Sequence, residues 1–90
     1  MTGEMSYDDL TPEEFPLHFA IAEALGGTVR PFDKYQGPYV TVPNGKLWLI
    51  EDGDGFCSVY NERNENQSAM FPGNLAISEA MAVAAAREVI

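Results

Sequence analysis

The sequence predicts a two-layer α+β domain: an N-terminal helix, an antiparallel meander of three to four strands, and a C-terminal helix, with both helices on one face of the sheet. Three observations point there. Leu17, Ile21, Ala24 and Leu25 recur at helical spacing. From Thr28 onward, short runs rich in β-branched and aromatic residues are separated by glycine, proline and asparagine. The final segment, "AISEAMAVAAAREVI", is alanine-rich and carries no turn signal.

The first helix opens on "TPEEF". Thr11 is placed to cap, Pro12 stands at a first helical position and Glu14 can close a capping box. Pro16 lacks a donor where intrahelical bonding would begin, so either the first turn is separate or the helix proper starts at Pro16. Gly26 and Gly27 end it. "TVRPF" reads as a short strand whose Pro31 marks an edge or bulge. "PYVTV" (38–42) and "KLWLIE" (46–51) read as strands joined by "PNG", where Asn44-Gly45 signals a hairpin. In "GFCSVYN", Phe56, Ser58 and Tyr60 alternate with Cys57 and Val59, so the two sets face opposite sides of a sheet. "NERNENQSA" (61–69) reads as a polar loop that could continue a strand on an edge, and "AMF" as one more short pairing before "PGN". Ser78 is the expected N-cap of the last helix, with Glu79 in its first turn. Residues 1–10 are expected to form an acidic, flexible arm, and residues 11–90 a single α+β domain.

"EDGDGF", from Glu51 to Phe56, invites a metal-binding reading. A calcium loop of the EF-hand kind starting at Asp52 needs an oxygen ligand at its fifth position, glycine at the sixth and glutamate at the twelfth. Those positions hold Phe56, Cys57 and Arg63. Between two strands the segment reads instead as a hairpin turn, since aspartate and glycine tolerate the left-handed conformations a turn requires.

Catalytic chemistry is poorly supplied. His18 is the sole histidine and Cys57 the sole cysteine, so a nucleophile–histidine pair would have to use these or one of the few serines. One of each cannot assemble a standard zinc set, and "GDG" lacks the lysine or helix start of a phosphate loop. No catalytic, cofactor-binding or metal-binding residue is expected, and no enzymatic activity. The lone cysteine fits a reducing compartment. The segment "MTGEMSYDDL" has no apolar core of a signal peptide, so a cytoplasmic location is expected.

Charge is the distinctive feature. Fourteen acidic residues against five basic ones give a formal net charge of −9. Such a surface repels nucleic acid and anionic membranes and is drawn to basic proteins. The order of elements resembles double-stranded-RNA-binding domains, but these reach phosphates through a basic helix and loop, whereas Arg30, Lys34, Lys46, Arg63 and Arg87 are dispersed among acids. The acids cluster: Glu4, Asp8, Asp9, Glu13 and Glu14 near the start, Glu51, Asp52 and Asp54 at one hairpin tip, Glu62 and Glu65 in the polar loop. Tyrosines, which interfaces favour, lie among them as Tyr7, Tyr35, Tyr39 and Tyr60. The expected partner-binding residues are Glu51, Asp52, Asp54, Glu62, Glu65, Glu13 and Glu14, with Tyr60 or Tyr39 as anchors.

Through these acidic runs and its helix–meander–helix order, the chain resembles, as a type, the small phage-encoded anti-CRISPR proteins. Several of these are acidic α+β domains that occupy basic nucleic-acid channels of Cas proteins. The resemblance implies stoichiometric binding to a basic surface of a CRISPR–Cas effector subunit, no cofactor, no direct contact with nucleic acid or membrane, and action in the bacterial cytoplasm. Two alternatives carry the same composition: an immunity-type protein neutralising a basic nuclease, and a structural or accessory domain forming a homodimer through apolar faces.

Overall fold

A computed structural model describes residues 10–31, 37–51, 55–62, 68–72 and 79–90. The elements run α1 (Pro16–Leu25), β1 (Thr28–Arg30), β2 (Tyr39–Val42), β3 (Gly45–Glu51), β4 (Phe56–Asn61), β5 (Ser68–Pro72) and α2 (Glu79–Val89). The strands form one antiparallel meander in the order β1-β2-β3-β4-β5. The α+β class and the flanking helices are as the sequence predicts. The sheet has five strands, the fifth being the short pairing around "AMF", which extends to Ser68 and Pro72.

The two prolines of the first segment divide it. Residues 12–14 make a separate turn, in which the Glu14 N–H donates to the Thr11 carbonyl at 3.1 Å and lies 3.2 Å from its hydroxyl oxygen. The helix then starts at Pro16, where a missing donor costs nothing. It ends at Gly26, which takes φ 71°, and the Gly27 N–H closes the turn on the Ala22 carbonyl at 2.8 Å. Leu17, Ile21 and Leu25 point to the core as expected, but Ala24 is exposed and Ala22 is buried in its place. The helix is turned this way because it packs against α2 as well as against β1 and β2.

Gly27 is required for a different reason. A Cβ there would collide with the carbonyl oxygen of Thr41, because the chain passes directly beside β2 on its way into β1. Thr41 in turn donates its hydroxyl to the Thr28 carbonyl at 3.2 Å, locking β1 in register.

The β2–β3 connection differs by one residue from the Asn44-Gly45 turn the sequence suggests. Val42 pairs with Gly45, so the two-residue loop is Pro43–Asn44. Proline holds its first position near φ −65°, which the type I′ turn of an Asn-Gly hairpin does not accept. Gly45 instead opens β3 with φ 146°. Between β3 and β4, Glu51 pairs with Cys57 across a hairpin whose Gly55 has φ 89°. This agrees with the turn reading, while residues 52–54 themselves lie outside the described set, as do residues 1–9, 63–67 and Ser78.

Strand alternation sorts the sheet into two faces. Val29, Val40, Leu47, Val59, Cys57, Ala69 and Phe71 point to the helices. They meet Ile21 and Ala22 of α1 and Ala82, Ala85, Ala86 and Val89 of α2. The alanines let the α2 backbone approach the sheet closely, and each fully buried aliphatic side chain here contributes about 1.5–3 kcal/mol. One polar residue sits in this core. Asn61, 1% exposed, donates its side-chain amide to the Val89 carbonyl at 3.1 Å. It thereby satisfies one of the carbonyls that the C-terminus of α2 leaves open. No described helix is long and apolar enough to cross a membrane.

Candidate interaction face and cleft

The second sheet face, turned away from both helices, carries the other half of each alternation. The register aligns Arg30, Tyr39, Trp48, Tyr60 and Ser68 in one row across all five strands. Trp48 lies at its centre. Tyr39 stacks on one side at 5.9 Å between ring centroids, and Tyr60 lies tilted on the other at 5.7 Å. Such spacing is that of attractive aromatic pairs, worth about 0.5–1.5 kcal/mol each beyond their area. Lys46 extends its ammonium 5.4 Å from the Tyr39 ring centroid and 4.0 Å from the Glu62 carboxylate. The Glu62 N–H also donates to the Lys46 carbonyl at 3.0 Å, so the backbone holds the two residues abreast. On one side of this row Ile50 is 44%, Phe56 42% and Met70 61% exposed, with Ser58 between Ile50 and Met70, and on the other side lie Thr28, Thr41 and Lys46.

A cleft of about 600 Å³ opens beside Trp48 at the free edge of β3, between the sheet and α1. β2 begins only at Tyr39, opposite Trp48, so residues 49–51 of β3 run on past it. Gly37 and Pro38 and the first turn of α1 border the space left there. Its walls include Phe15, Leu17, Pro38, Trp48, Ile50 and Cys57. His18 belongs to the wall as well, packed edge-on against Phe15 with ring centroids 5.6 Å apart. Burial lowers its pKa to about 4, partly offset by a hydrogen bond from its ring N–H to the Pro38 carbonyl. The imidazole is therefore neutral at pH 7 and ties α1 to the chain entering β2. Glu14, at the mouth, is the one charged side chain among the described lining residues.

No family model matches this chain, and no curated protein or solved structure matches it.

The residues expected to bind a partner divide into three groups. Tyr39 and Tyr60 flank Trp48 on the second face, and Glu62 pairs with Lys46, whose ammonium lies over Tyr39. Glu13 and Glu14 are exposed in the turn before α1, Glu14 at the cleft. Glu51 ends β3, while Asp52, Asp54 and Glu65 lie outside the described residues. Trp48 is buried, at 2% exposed, as the core reading implies, but it lies on the second face, and Ile50, Phe56 and Met70 form a patch there that the sequence did not single out. The alternation of Lys46, Trp48 and Ile50 against Leu47 and Leu49 was the available signal, since it puts the tryptophan on the face opposite the aliphatic core. Among the described residues, no group of three or more histidine, cysteine, aspartate or glutamate side chains is placed to hold a metal ion.

Proposed function

We propose that this is a non-enzymatic binding protein that acts as a stoichiometric inhibitor of the anti-CRISPR kind, occupying a basic nucleic-acid-binding surface of a bacterial defence effector in the host cytoplasm. The observation that carries the reading is the composition of the second sheet face. Tyr39 and Tyr60, half-buried against a buried Trp48, lie together with three exposed apolar side chains on a 90-residue domain of net charge −9. Interfaces combine an apolar and aromatic centre with a polar rim in this way. The carboxylates steer a basic partner and set the encounter rate, and the apolar centre supplies the desolvated contact that holds it. A non-catalytic role fits the candidate nucleophile and base: Cys57 is 5% exposed, and burial lowers the His18 pKa to about 4, which makes it a weak base at neutral pH.

The test is a binding measurement on purified effector with and without its guide or target nucleic acid. Binding is expected to compete with the nucleic acid and to weaken as salt rises. The homodimer reading has its own support, since Ile50, Phe56 and Met70 would be covered by a second copy. Sedimentation equilibrium decides it: a dimer insensitive to salt and lost on Met70→Lys would favour that reading over an inhibitor.

A further inference from the structure

Within that reading, we propose that the cleft between α1 and the free end of β3 is the anchor site of the interface, and that it receives one aromatic side chain of the partner standing next to an arginine or lysine. The cleft's chemistry defines the occupant. Its volume of about 600 Å³ is several times the roughly 150 Å³ that encloses a benzene ring, so it admits a ring together with part of the residue beside it. Phe15, Leu17, Pro38, Trp48 and Ile50 give it apolar walls, which suit a ring rather than a polar chain. His18 adds no charge, because its ring is neutral and its N–H is directed to Pro38. The single charge among the described lining residues is the Glu14 carboxylate at the mouth, with Glu13 exposed beside it. A ring in the cleft with a cation at its mouth satisfies both features, and a chain of net charge −9 favours the same cationic flank. The cleft also adjoins the aromatic row through Trp48, so an anchored partner would lie across Ile50 and the second face. Buried rings set in pockets and surrounded by weaker contacts are where interface energy concentrates.

Trp48 is the sole tryptophan, so its emission reports directly on the cleft. The experiment titrates the intact protein with three blocked dipeptides: N-acetyl-Arg-Phe-amide, N-acetyl-Arg-Ala-amide and N-acetyl-Glu-Phe-amide. The first is expected to give a saturable shift of Trp48 emission. The alanine form should bind at least about tenfold more weakly for want of the buried ring. The glutamate form should also bind more weakly than the first, by a margin that shrinks as salt rises. Ile50→Lys, at a position exposed enough for the strand to tolerate it, should abolish the shift, and Glu14→Gln should remove the preference for arginine over glutamate. An emission spectrum unchanged by all three peptides, or an equal response to the phenylalanine and alanine forms, would overturn the proposal. The parent reading fails separately. If the dipeptide binds but no basic effector does, the cleft stands and the inhibitor function falls. If an effector binds wild type and Ile50→Lys equally, the cleft proposal falls and the inhibitor reading survives.

Discussion

Replacing His18 by glutamine should flatten the acid side of the stability profile. The folded imidazole titrates at about 4 and its unfolded counterpart at 6.5. Between those values the unfolded chain binds more protons, so stability falls as pH falls. His18's contribution is complete above about pH 6.5, declines between 6.5 and 4, and is fully lost below 4. The shift of roughly 2.5 pH units corresponds to about 3 kcal/mol at most. Integrating the linkage relation from pH 7 to pH 5 gives a loss of about 2 kcal/mol from this one group. For a domain of this size that is about 8–15 °C of melting temperature. Lowering the pH also relieves the self-repulsion of the −9 charge, so the wild-type curve alone mixes two effects. The difference between wild type and His18→Gln isolates the imidazole, because the carboxylates are common to both. Thermal unfolding by circular dichroism at pH 7, 6 and 5 measures it. The variant should gain on the wild type by about 2 kcal/mol at pH 5 relative to pH 7. Parallel curves would show that the ring is not desolvated in the folded protein and would refute the cleft geometry built on it.

Three further predictions rest on separate contacts. Gly27→Ala should cost about 1–3 kcal/mol, because its Cβ meets the Thr41 carbonyl and the backbone must shift to admit it; urea unfolding would register this as a lower midpoint at unchanged slope. Asn61→Leu should cost about 1–3 kcal/mol by leaving the Val89 carbonyl without its buried donor, and hydrogen exchange should quicken first in the last turn of α2. Met70→Lys should leave stability within about 0.5 kcal/mol, since the side chain is 61% exposed, yet weaken binding to a basic partner by adding a like charge at the interface.

The elements were legible wherever one local rule acted alone. The alternation through residues 56–60 assigned both faces of β4 correctly, and the glycine pair placed the end of α1. Where two rules competed, the sequence did not say which would prevail. At residues 43–45 the asparagine–glycine signal pointed to one turn and Pro43 to another, and the fixed proline φ prevailed. Ala24 and Ala22 fit a helical stripe about equally well, and the choice between them was made by α2, more than fifty residues away. The candidate site was harder to see because it is a property of register. Tyr39, Trp48 and Tyr60 are separated by nine and twelve positions, and only the antiparallel pairing sets them in one row. The cleft depends on β2 starting level with Trp48 while β3 continues, a mismatch of strand lengths that composition does not encode.

The central claim is that a basic nucleic-acid-handling protein is the partner. Affinity capture from a bacterial lysate containing CRISPR effectors, at low and moderate salt, with the retained proteins identified by mass spectrometry and then challenged with guide or target nucleic acid, tests it most directly. The account predicts retention of an effector subunit that diminishes with salt and is released by the nucleic acid. Recovery of further copies of this chain alone at both salts, or of a partner whose nucleic-acid binding is unaffected, would contradict it.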